Sequence, residues 1–169
     1  MATLSYRTAG ESHGPAVVSL LEGLPGGIPV DLEFIDAELV RRQGGYGRGG
    51  RQRIETDHAE FLGGVRRGRT TGAPVAMLVP NKDSRLDDLE RTPPVERPRP
   101  GHADLAGSIK WLTPDCRETL ERASARETAG RTAMGALARC FLREVGIEVF
   151  GFVRGGGPDP KATSSTVVT

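Results

Sequence analysis

The sequence predicts a mixed α/β fold of the α+β type, an antiparallel sheet layered with helices. Three observations lead there. Short extended segments, TLSYRTA, PAVVSLLE and PVAMLVP, are broken by glycine and proline over the first 80 residues. Two stretches, 32–43 and 125–145, bring apolar residues back at helical spacing. The second is crowded with small residues (Ala129, Gly130, Ala133, Gly135, Ala136, Ala138), which lets a helix lie close against a sheet or another helix.

TLSYRTA reads as a first strand that delivers GESHG to its end, and PAVVSLLE (15–22) reads as a second. GLPGGIP then breaks the chain with three glycines and two prolines. Asp31 opens DLEFIDAELVRRQGG. There Leu32, Ile35 and Leu39 recur at helical spacing, acids crowd the first turns, and Gly44-Gly45 stops the run, so a helix is expected from about 32 to 43. GGYGRGGRQRIE (44–55) is a glycine-arginine loop. Phe61–Val65 and Pro74–Pro80 are expected strands around a polar turn, RRGRTTGA. From Asn81 to Pro100 the chain is charged and proline-rich, a long loop of the kind that carries function in compact domains. Ser124 and Glu127 have capping-box spacing ahead of Met134, Leu137, Phe141 and Val145, which share one helix face, and Gly146 ends it. The boundary falls after residue 153: 1–153 form the structured portion, and 154–169 are an atypical tail without periodic pattern.

With 169 residues, 37% of them hydrophobic, the chain suits one ordinary domain or a piece of a larger one. A net charge of +1 gives no overall bias toward nucleic acid or membrane. The cations are nevertheless unusual. Of 23, only Lys82, Lys110 and Lys161 are lysine, and eight arginines lie between Arg41 and Arg69. Arginine presents a planar, always-charged fork that grips carboxylate or phosphate at two points. Cys116 and Cys140 have no metal-ligand spacing, and neither an apolar signal core nor a membrane-length apolar run is found, so a reduced, cytoplasmic protein is expected.

In GESHG, Ser12 beside His13 invites a hydrolase reading, but the spacing is not that of a nucleophile elbow. His13, flanked by glycines at a strand end, suits a proton donor or anion ligand as well as a hydrogen-bonded turn. The glycine-arginine loop reads either as an RNA-binding segment or as an ordered clamp. In the clamp, glycines admit an anionic ligand and Arg42, Arg48 and Arg51 hold it; with Tyr46 as the sole stacking partner, the clamp is favoured. RPRPGHAD presents His102 from a rigid turn beside Arg97 and Arg99, where a bound anion would let it act as an acid. ERASARET sets a capped helix start between Arg122 and Arg126, an anion-binding arrangement. His58 reads as a surface histidine.

GESHGPAVVSLLEGLPGGIP (10–29), RRQGGYGRG (41–49), RPGHAD (99–104) and ERASARETAGRTAMGAL (121–137) together resemble the chorismate synthase family, in order and in spacing. The resemblance implies part of that family's β-α-β sandwich and a homotetramer. It implies a 1,4-anti elimination that converts 5-enolpyruvylshikimate 3-phosphate to chorismate and phosphate with reduced FMN, without nucleic acid or membrane partners. It assigns His13 to the reduced flavin and His102 to the leaving phosphate. Arg42 and Arg48 are assigned to substrate, or to NADPH in some members, and Arg122, Ala123 and Ser124 to FMN. Ser12, Arg51 and Arg126 are further candidates for binding anions. No metal site is implied. Family members are roughly twice this length, so the chain is expected to be a fragment that binds FMN weakly alone. The rival reading is an arginine- and glycine-rich RNA-binding module centred on 41–69.

Overall fold

The computed structural model describes residues 3–44 and 50–151. A four-stranded antiparallel sheet is covered on one face by helices. The strands are β1 (Ser5–Ala9), β2 (Ala16–Glu22), β3 (Glu60–Gly63) and β6 (Val75–Pro80), in the order β1-β2-β6-β3. Val17, Ser19 and Leu21 of β2, and Val75, Met77 and Val79 of β6, are all buried, because alternate residues of a strand turn to one face.

Helices α1 (Leu32–Gln43) and α4 (Thr128–Glu144) close that face. Asp31 starts α1 by accepting the Phe34 N–H at 2.9 Å, and α1 covers the residues expected of it. Ile35 and Leu39 from α1 join Ala129, Ala133, Ala136 and Leu137 from α4 in one core with the strands. The small residues of α4 do what their size allows: a Cβ on Gly130 would stand 2.9 Å from Val17 Cγ1.

Three regions depart from the sequence reading. RRGRTTGA holds a small hairpin, β4 (Val65–Arg66) and β5 (Arg69–Thr70), turned at Arg67 (φ 52°) and Gly68 (φ 71°). Two successive positive φ values match the twist of an antiparallel pair. The helix expected from residue 125 opens as a 3-10 turn, Ala125–Glu127, before α4 begins. Two short helices, α2 (Asp104–Trp111) and α3 (Arg117–Arg122), sit where no helix was expected. Leu112 ends α2 with a left-handed backbone (φ 53°), and six residues of α3 are too few to reveal a period. The tail predicted from 154 lies outside the described residues. Among those described, no helix is long and apolar enough to cross a membrane, and Cys116 and Cys140 are buried and unbridged.

Candidate active site

The turn between β1 and β2 carries GESHG. Gly10 takes φ +99°, and a Cβ there would meet Ala16 O at 2.3 Å, so only glycine lets the chain double back. The turn is held from three sides. Asn81 donates to Glu11 O and Gly14 O (3.1 and 2.7 Å). The Arg85 and Leu86 N–H groups donate to His13 O (2.9 and 3.0 Å). Ser12 N–H donates to Glu121 O at 3.0 Å, and His13 N–H to Glu121 Oε2 at 3.0 Å.

The His13 ring sits between two carboxylates. Its Nδ1 lies 2.8 Å from Glu121 Oε2 and 3.0 Å from Oε1, while Nε2 faces Asp83 Oδ2 at 3.6 Å and Arg85 Nη2 at 3.5 Å. Glu121 is buried on α3 and also accepts from Arg117 at 3.2 Å.

Behind the turn runs a buried polar network. Arg126, 4% exposed, donates from Nε to Asn81 Oδ1 (2.6 Å), from Nη1 to Asp57 Oδ1 (2.5 Å) and from Nη2 to Pro80 O (2.8 Å). Asp57 is shared with Arg42, whose Nη2 donates to Oδ2 at 2.6 Å. Arg42 is thus tied to the His13 turn through Asp57, Arg126 and Asn81. Arg51 grips Ser12 through its hydroxyl and carbonyl oxygens and pairs with Glu55 at 3.1 Å. Every guanidinium nitrogen of Arg126 is held by a protein acceptor. It organises Asp57 and Asn81. Ser12, 4% exposed, is likewise turned inward.

His102 stands at the approach to α2. Its Nδ1 lies 3.0 Å from Arg99 Nη2 and 3.3 Å from Asp104 Oδ1. Asp104 is fully buried and takes Arg99 Nε at 2.8 Å and Nη2 at 2.9 Å. Those bonds hold its carboxyl well below the usual aspartate range and raise Arg99 further. The Glu121 carboxylate of α3, which holds His13, also adds slightly to the raising of Arg99.

Arg122, the last residue of α3, donates through Nη2 to Thr8 O and Thr8 Oγ1, both at 2.8 Å. Among the described residues its Nη1 is buried without a partner. Ser124 caps the following 3-10 turn by accepting from the Arg126 N–H at 3.3 Å, beside exposed Ala123. The reciprocal half of the capping box is not made; Glu127 instead takes Thr8 Oγ1 at 2.6 Å and pairs with Arg131. His58 is exposed against Glu60. Arg48 lies outside the described residues.

A cavity of about 420 Å³ opens beside Arg117 and Glu121, lined also by Glu11, Leu86 and Thr92. Another, of about 560 Å³, lies between α1 and the end of α4 and contains none of the sequence-predicted site residues. Among the described residues no His, Cys, Asp or Glu group is placed to hold a metal ion.

Sequence reasoning missed Glu121, Asp104, Asp57, Asn81, Asp83 and Glu55. Glu121 and Asp104 sit inside motifs already singled out, ERASARET and RPGHAD, where a buried acid opposite an imidazole was a legible option. The other four carry no local signal.

The chorismate synthase family model matches residues 4–168. The chain belongs to the chorismate synthase family. The chorismate synthase of Symbiobacterium thermophilum is 52% identical over 169 aligned residues, covering 92% of this chain and 43% of the relative. Those of Caldanaerobacter subterraneus subsp. tengcongensis and Anaeromyxobacter dehalogenans are each 55% identical, over 146 and 164 residues. They cover 86% and 92% of this chain and 42% of each relative. A crystal structure of chorismate synthase superposes with a TM-score of 0.65 at 43% identity, over 85% of this chain and 35% of that one. The chain therefore spans well under half the length of the chorismate synthases it matches.

Proposed function

We propose that this chain carries the histidine and arginine part of a chorismate synthase active site. The reaction is the 1,4-anti elimination of phosphate from 5-enolpyruvylshikimate 3-phosphate. The observation that carries the reading is the buried network that joins Arg42 to the His13 turn, with α3, which presents Glu121 to that turn, packed against α2, whose Asp104 braces His102.

The substrate bears two carboxylates and a phosphate, so it needs fixed cations. Arg42 is held by Asp57 and does not reorganise when an anion arrives. Arg48 belongs with it in this assignment. His102, braced by Asp104 and next to Arg99, faces the departing phosphate and supplies a proton or a charge-assisted hydrogen bond. His13, with Nε2 directed away from Glu121, holds the second exchangeable proton. Ser12, Arg51 and Arg126 keep that turn and Asp57 in place.

The unpartnered Nη1 of Arg122 fits an anionic group, and with Ala123 and Ser124 it would hold the phosphate end of FMN. Bound there, reduced FMN would supply transient electron density for C–O cleavage, with no net redox change. NADPH as the flavin's reductant and a homotetrameric assembly belong to the same reading. The RNA-binding alternative is weakened because Arg41 and Arg51 already pair with Glu38 and Glu55.

The test is a chimera that joins residues 1–149 to the distal part of the Symbiobacterium relative, assayed without oxygen with 5-enolpyruvylshikimate 3-phosphate and reduced FMN. Equal release of chorismate and phosphate supports the proposal. A folded, FMN-binding chimera that makes no chorismate contradicts it.

A further inference from the structure

We propose that Glu121 is the positioning residue for His13. It fixes the ring proton at Nδ1 and leaves Nε2 as the atom that gives or takes a proton. Its meaning for catalysis rests on the chorismate synthase reading; its geometry does not.

Three N–H donors converge on the Glu121 carboxylate: the His13 backbone at 3.0 Å, His13 Nδ1 at 2.8 Å and Arg117 Nη1 at 3.2 Å. The Glu121 side chain has no exposed surface, so water does not compete for its oxygens. A carboxylate surrounded in this way acts as an acceptor, and Nδ1 must be the donor in the neutral and the charged ring alike. The lone pair of the neutral ring is then on Nε2. There the ring meets one acceptor, Asp83 Oδ2 at 3.6 Å, and one donor, Arg85 Nη2 at 3.5 Å. Asp83 and Arg85 are themselves paired at 3.3 Å. A protonated Nε2 faces the Asp83 carboxylate and a bare one the Arg85 guanidinium, so each state has a group of suitable charge beside it. Glu121 also holds the His13 N–H, while the 81–100 loop holds the His13 carbonyl. The backbone is clamped at both ends, and Nε2 is the one ring nitrogen left for chemistry.

Long-range proton–nitrogen correlation spectra of the chain labelled with 15N-histidine read the tautomer directly. The account expects neutral His13 to be the Nδ1–H form. A predominant Nε2–H form in the wild-type chain overturns it, and needs no variant. In Glu121→Gln, one amide oxygen must serve three donors, and the ratio of Nδ1–H to Nε2–H should fall about tenfold or more, the scale of one charge-assisted hydrogen bond. A folded Glu121→Gln chain with an unchanged ratio also overturns the proposal. In the chimera the same substitution should lower kcat while leaving KM for 5-enolpyruvylshikimate 3-phosphate within about twofold, since Glu121 does not touch substrate. An equal loss through KM alone contradicts the positioning role. A chimera inactive before substitution would count against the chorismate synthase reading and leave the tautomer result standing.

Discussion

Gly107 of α2 and Thr119 of α3 touch so closely that a Cβ on Gly107 would stand 2.0 Å from Thr119 Oγ1 and 2.7 Å from its Cβ. No shift of a flexible side-chain tip relieves this, because the contact reaches the root of a β-branched residue. The two helices brace the two imidazoles: α2 begins at Asp104, which pairs with His102, and α3 presents Glu121 to His13.

Gly107→Ala should therefore push α2 from α3 and destabilise the chain by about 1–3 kcal/mol, the usual range for an overpacked contact. Thr119→Ala removes two of the three clashing atoms. In the double variant, part of the loss should return, giving a coupling above about 0.5 kcal/mol by urea denaturation. Strict additivity of the two substitutions would mean that the helices do not meet here.

Two arginines that look alike in sequence should behave oppositely. Arg126→Met leaves Asn81 Oδ1 without its donor and the buried Asp57 with Arg42 alone of its two guanidinium partners, and should cost about 3–5 kcal/mol. Arg41 is half exposed and, among the described residues, pairs with Glu38 one turn away, so Arg41→Ala should cost less than about 1 kcal/mol. Urea midpoints at constant slope measure both, and similar losses would contradict the buried network.

Asp104 sets part of the acid limit. Its folded carboxyl is held well below the ordinary aspartate value, first by the Arg99 hydrogen bond. A depressed folded value contributes stability that is fully present above the unfolded value of about 3.9 and lost as pH falls toward the folded one. The stability of wild type should fall with decreasing pH below about 4. Asp104→Asn should be less stable at neutral pH and show a shallower fall in that window. Parallel curves for the two proteins would remove Asp104 from the account.

Much of the fold was legible because local rules and tertiary packing agree. Burial alternates along β2 and β6 as the apolar pattern does, and Asp31 and Gly44 mark both ends of α1. The site was legible only in part. His13, His102 and Arg42 stand in motifs with glycine, proline or charge around them. The residues that hold them do not, because the contacts are distant in sequence: Arg126 reaches Asp57 across 69 positions and Asn81 across 45. The capping-box reading of Glu127 failed for a related reason, since Thr8 on β1 and Arg131 on α4 outcompete the local backbone for its carboxylate. Their hydrogen bonds outweigh its burial and hold Glu127 below the usual glutamate range.

The most direct test of the central claim is turnover of the chimera with His13→Ala and His102→Ala, each measured anaerobically with reduced FMN. Loss of a group that handles a proton in the transition state should lower kcat about a hundredfold or more in each variant, with FMN still bound. Wild-type turnover in both would show that the two imidazoles have no part in the elimination.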